Sequence, residues 1–268
     1  MSVPGFRADS PATEQSGGAA APFWQTPGMR RGLIALGALS VLLATGAIAY
    51  ILLFSNTATP VDRSVVTAAV VGSEPGDPGI YAYETTGYEA VDALTGGRHE
   101  YPVATYLTIS LGECGPVVRW DALAERWDEW EHCGPDGAIT LSRNYHDWFG
   151  VPNLDEQVCA APLPLVPSAQ MTVACTTGDI TETYQVTPMG EATVTVDGVA
   201  VATDWVRVVS ELTGATTGDA QADLWVLPGS VLVVKMVVVR HNSTETPIGS
   251  VAYEEAYTVT LASLDPGR

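Results

Sequence analysis

The chain has 268 residues, with 31 acidic against 12 basic side chains and a formal net charge of −19. So acidic a chain repels phosphate backbones, which excludes nucleic acid as an ordinary partner. The only lysine is Lys235, and no phosphate-loop glycine pattern or G-x-S-x-G elbow occurs, so those nucleotide and hydrolase chemistries are excluded too.

Residues 1–28 mix Pro, Gly, Ser and Ala with few large apolar groups, a composition expected to stay disordered. Residues 32–54 read GLIALGALSVLLATGAIAYILLF without a charge, about 34 Å of helix at ~1.5 Å per residue, enough for a hydrocarbon core of ~30 Å. As a signal peptide it would be cut after Ala47-Ile48-Ala49, but the apolar run continues through Phe54, beyond the ~7–15 residues of a cleavable segment. The reading preferred is an uncleaved transmembrane helix over 30–54, a single-pass anchor in the cell membrane. Arg30 and Arg31 at its start keep the N-terminus cytoplasmic and put the rest outside.

Beyond residue 55 the charge is −20, since Asp9, Glu14, Arg7, Arg30 and Arg31 all precede it and leave 29 acids against nine bases. All four cysteines lie there, Cys114, Cys133, Cys159 and Cys175, as two disulfides require in an oxidising compartment. Their spacing does not suit zinc, and His99, His132, His146 and His241 are scattered without a ligand pattern, so no metal and no cofactor is expected.

Residues 55–78 read as a linker, with VVTAAVV as an alternative first strand. From 79 to 264 the pattern is mainly β: aromatic and β-branched runs separated by short turns, as in an antiparallel curved sheet. Asp197-Gly198 suits a two-residue hairpin that sets Val196 against Val199 and Val194 against Val201. In the last run Val251, Tyr253, Tyr257, Val259 and Leu261 share a face that Glu255 interrupts. Lys235 is the odd residue of a valine run; it either points inward toward Glu255 or breaks up the run from outside.

The stretch CGPVVRWDALAERWDEWEHC admits a helix, with Leu123, Trp127 and Trp130 on one stripe, or a hairpin turning at Leu123-Ala124. The hairpin places Cys114 opposite Cys133, Trp120 opposite Trp127, Arg119 opposite Asp128 and Asp121 opposite Arg126. That agreement favours the hairpin, with Cys114–Cys133 and Cys159–Cys175 as the bridges. Asp128, Glu129 and Glu131 beside three tryptophans also suggest an acidic site for a cell-wall hydrolase, which needs two acids about 5–9.5 Å apart across a cleft. Tryptophans packing a stapled hairpin, with acids facing water, is the simpler account.

TDWVRVVSELTG, DLWVLPGSVLVVKMVVV and VAYEEAYTVTLASL, within about 180–264, resemble the LolA and LprG-like lipoprotein carriers of bacterial envelopes. The resemblance implies a half-barrel round an apolar hollow for acyl chains, with Trp205, Trp225, Tyr253 and Tyr257 as candidate cavity residues. No lipobox cysteine stands near the span. TTGYE, RHEYP and RWDALAERWDEW are also similar to uncharacterised single-pass proteins of high-GC bacteria, to which no activity attaches. The expectation is a non-enzymatic, membrane-anchored extracytoplasmic β domain that binds a lipid-like ligand or another envelope protein. The alternatives are the hydrolase and a structural partner of an envelope complex.

Overall fold

The computed structural model describes residues 57–92, 97–133, 137–247 and 249–267. The expected tail and the expected span over 30–54 lie outside them, and among the described residues no helix is long and apolar enough to cross a membrane.

Period-two alternation builds the rest. The strands are β1 (Gly79–Val91), β2 (Arg98–Glu100), β3 (Ala104–Leu111), β4 (Pro116–Leu123), β5 (Arg126–Cys133), β6 (Ala138–Trp148) and β7 (Val151–Leu163). They continue as β8 (Met171–Thr177), β9 (Ile180–Val196), β10 (Val199–Thr213), β11 (Thr216–Val226), β12 (Val233–Thr246) and β13 (Gly249–Leu261). From β3 to β13 each strand pairs with the next in chain order, antiparallel throughout, because the short turns leave no room for a crossover.

The sheet does not stop as a half-barrel. β13 pairs with β1 from Tyr83 opposite Leu261 to Val91 opposite Tyr253, which closes a barrel of 12 strands. This corrects the open curved sheet expected from sequence: both terminal strands are long and apolar on one face, and joining them removes two sticky edges at once. β2 lies outside the circuit and pairs with Tyr88–Ala90 of β1, above the Gly79–Glu84 half that pairs with β3. We call the end of the barrel that carries the Phe149-Gly150 turn the upper end, and the end with the Asp197-Gly198 turn the lower.

Inward side chains form a main core in which Tyr81, Tyr83, Leu107, Ile109, Trp120, Tyr257 and Leu261 are buried, and a smaller one of Leu163, Val173, Cys175, Val186 and Val206. Fully burying one such aliphatic or aromatic side chain contributes about 1.5–3 kcal/mol. The outer wall carries Glu84, Arg119, Glu129, Arg143, Arg207, Asp223 and Lys235 along its strands. A lipid-facing wall would lose about 2–4 kcal/mol for each Arg or Lys at mid-depth, so this pattern is that of a barrel standing in water.

The β9–β10 hairpin has the pairing its alternation predicts, Val196 with Val199 and Val194 with Val201. Asp197 and Gly198 both take positive φ, 46° and 75°, as a type I′ turn requires. The β4–β5 hairpin also forms, but one residue out of the expected register: Trp120 faces Asp128, Arg119 faces Glu129 and Asp121 faces Trp127. The cause is a bulge at Ala122, whose side chain is buried, so that Leu123 opposes Arg126. Because the side-chain period is two, the slip separates the tryptophans: Trp120 is buried in the core, and Trp127 lies under the Arg119 guanidinium at 4.0 Å and against Tyr145.

The two disulfides are Cys114–Cys133 and Cys159–Cys175. Residues 57–78 do not stand away from the barrel as a linker. Thr57 and Thr59 donate to the Glu125 carboxylate at the β4–β5 turn, and Ala124 N–H donates to the Thr59 carbonyl. Val66 is buried, and VVTAAVV forms no strand; the segment holds a single 3-10 turn at Arg63–Val65.

Candidate functional site

Closing the sheet encloses a luminal cavity of about 530 Å³. On one side it is apolar, with Leu107, Val118, Trp120, Trp130, Tyr257 and Val259 turned inward from β3, β4, β5 and β13. Trp120 is fixed there by its Nε1–H, which donates to Thr105 Oγ1 at 3.0 Å, and by the Tyr101 and Tyr257 rings. Tyr83 closes the lower part and donates its hydroxyl to the Val233 carbonyl, while burial pushes its phenol far above the usual range.

Above this apolar part runs a buried ionic layer. Arg126, from the top of β5, reaches across the lumen: Nη1 lies 2.6 Å from Asp128, Nη2 3.2 Å from Glu255 and Nε 3.3 Å from Glu89. The Nε and Nη1 contacts are ion pairs whose angles fall short of hydrogen bonds. Glu89 also faces His99 Nδ1 at 2.8 Å and His146 Nδ1 at 3.2 Å, and accepts from the Tyr253 hydroxyl at 3.2 Å; Glu255 accepts from the Tyr101 hydroxyl at 2.8 Å. His99 is held flat against Trp148, with ring centroids 4.1 Å apart. Burial raises the Glu89 carboxyl, but the close contacts of His146 and His99 and the charge of Arg126 outweigh it and hold Glu89 well below the usual carboxylate range. For Arg126 burial disfavours the charge, and the carboxylates of Asp128 and Glu255 more than restore it.

A second cluster continues the layer toward β9. Arg240 Nη2 lies 3.1 Å from Glu182 Oε1, which also accepts from Ser210 Oγ at 2.6 Å; Glu182 Oε2 accepts from Gln157 Nε2 at 3.2 Å. Burial raises Glu182, and the Arg240 charge followed by these hydrogen bonds brings it below its ordinary value. Arg240 stands directly opposite Glu255 in the β12–β13 register, so the two clusters form one alternating row, Glu89, Arg126, Glu255, Arg240, Glu182.

The cavity reaches the surface at β7. Asn153 and Asp155 line it, and Asn153 is exposed. The reason is a thin seam: β7 pairs with β8 only at Val158 with Thr176 and Cys159 with Cys175, so 151–157 have a strand on one side alone. The Cys159–Cys175 disulfide sits at that pair, and Cys159 lines the lumen.

Of the four aromatic residues suggested by the carrier resemblance, Tyr253 and Tyr257 line the cavity. Trp205 and Trp225 do not; they stack on each other across β10 and β11, with Arg207 over Trp205 and Lys235 Nζ over Trp225 at 4.9 Å. Lys235 opposes Thr260, and Glu255 pairs with Arg126 instead. The acids of the alternative hydrolase site are divided by the wall: Asp128 faces the lumen and Arg126, whereas Glu129 holds Arg143 and Glu131 lies near the Cys114 sulfur. Sequence reasoning gave no site role to Glu89, Arg126, His146, Glu182 or Arg240. Their signal is a charged residue at the inward parity of an otherwise apolar strand, as in YAYETTGYE, where Tyr81, Tyr83, Thr85 and Glu89 share a face.

No family model and no curated protein matches the chain. A solved structure that aligns with it is that of the hypothetical lipoprotein YmcC from Escherichia coli K12, at 10% identity and a TM-score of 0.32, covering 82% of this chain and 96% of that one.

Proposed function

We propose that the protein is a non-enzymatic extracytoplasmic barrel, anchored by its N-terminal apolar segment, that binds an apolar or amphiphilic small molecule in its lumen. The observation that carries this reading is the 530 Å³ cavity, which has an apolar wall below and a hydrogen-bonding layer above. Ligand sites of 300–1,000 Å³ combine these two features, apolar area for affinity and a few polar groups for orientation. The thin β7–β8 seam supports it by offering a way in. An acid pair for hydrolysis finds less support, because Asp128 lies on the opposite side of the wall from Glu129 and Glu131.

Native mass spectrometry and solvent extraction of full-length protein purified from its host test the proposal. A small amphiphile bound one to one is expected. Ligand-free protein that gains no thermal stability from any eight-carbon amphiphile would refute it.

A further inference from the structure

The lumen's charge is unbalanced. Its ionic layer holds four carboxylates, Glu89, Asp128, Glu182 and Glu255, against two guanidinium groups, Arg126 and Arg240. Each cation is already engaged: Arg126 faces three of these acids, Arg240 faces the fourth, and Arg143, on the outer wall, is held by Glu129 and Glu156. An anionic headgroup would therefore enter a field of its own sign and meet guanidiniums committed elsewhere. A group that donates hydrogen bonds finds acceptors instead. Asn242 Oδ1, buried on the cavity lining, has no hydrogen-bond partner among the described residues.

We infer that the luminal ligand is a cationic amphiphile, whose ammonium or guanidinium group sits in the acidic layer between Glu182, Glu255 and Asn242 with its apolar part against Trp120 and Val259. The inference rests on the luminal binding proposed above. Two unneutralised carboxylates in a site sheltered from water favour a cation strongly, since a unit charge pair about 6 Å apart is worth ~2–3 kcal/mol at an effective dielectric of ~20.

The test is isothermal titration of full-length protein in an amphipol, with amphipol alone as blank, using octylamine, octanol and octanoate. It is run at pH 8, where an ordinary imidazole is neutral. Octylammonium should bind at least about tenfold tighter than octanoate, with octanol between. Because the outer surface is also acidic, Glu182→Gln and Asp128→Asn should each reduce that preference severalfold, and the exposed Glu211→Gln should leave it intact. Near-UV circular dichroism checks that the variants keep their packing, and the two luminal variants serve as alternatives should one fail to fold. Equal affinity for all three probes would overturn the charge inference while leaving luminal binding in place. A preference unchanged in both luminal variants would assign it to the surface and overturn the inference too. No binding of any probe would remove the proposed function itself.

Discussion

Arg126→Met is the substitution that tests the ionic layer most directly. Methionine keeps the unbranched apolar stem and removes the guanidinium, leaving Glu89, Asp128 and Glu255 near one another without the charge between them. Taking one partner from a buried ionic pair costs about 3–5 kcal/mol, since the stranded charge stays in a poor solvent. At ~2–4 °C per kcal/mol for a domain of this size, the full-length protein should melt roughly 6–20 °C lower at pH 7 by circular dichroism. The pH dependence gives a second reading. In the parent, Glu89 and Glu182 titrate below their unfolded values, so their contribution is complete above about pH 4.3 and is lost as pH falls through the folded values. In the variant Glu89 loses the Arg126 charge that helps to depress it, so its protonation becomes easier and relieves the crowding of carboxylates. The gap between the two melting temperatures should therefore narrow between pH 7 and pH 4.5. A variant melting within about 2 °C of the parent at pH 7, or a gap that widens with acid, would refute the claim that Arg126 is the centre of the layer.

Other parts of the fold make separate predictions. Cys159→Ala with Cys175→Ala opens a 16-residue loop where only two residue pairs join β7 to β8, so a loss of about 3 kcal/mol and faster amide exchange confined to 151–163 and 171–177 are expected by hydrogen-exchange mass spectrometry. Trp120→Ala should cost about 3–5 kcal/mol in urea unfolding, since it leaves the Thr105 hydroxyl to Thr85 and the Tyr257 ring to Tyr101. Gly198→Val, forced to hold φ near 75°, should destabilise by more than about 1 kcal/mol, whereas Glu129→Gln on the outer wall should change stability by less than about 1 kcal/mol.

How far the sequence discloses this molecule depends on the range over which each signal acts. The β9–β10 hairpin was legible to the residue because an Asp-Gly turn and alternating valines specify it locally. Both disulfides followed from cysteine number and hairpin logic. The register of β4 on β5 was not, because the bulge at Ala122 answers to a demand from elsewhere: Trp120 must meet Tyr101 and Tyr257, which arrive from β13 and the end of β2. Closure was hidden for a similar reason. No property of β1 or β13 alone distinguishes a strand that ends a sheet from one that joins its ends.

Glu255 shows at one residue what sequence cannot supply. In sequence it is a flaw in an apolar face, and a pairing with the lone lysine is only one of two alternatives, the other leaving that lysine outside. In the barrel the flaw is the function of the position: Arg126 crosses from β5 and Tyr101 from beyond β2 to meet it, and Arg240 stands beside it on β12. A buried row of this kind costs more in desolvation than an apolar filling of the same volume would, so stability alone does not account for it. What the row adds is a set of fixed dipoles and charges along one side of the luminal cavity, which is what the proposed ligand's polar group would meet. If luminal binding is as proposed, a variant that fills the cavity while keeping the fold, such as Val259→Phe, should lose affinity for the amphiphile probes while its unfolding free energy falls by no more than the ~1–3 kcal/mol that overpacking costs.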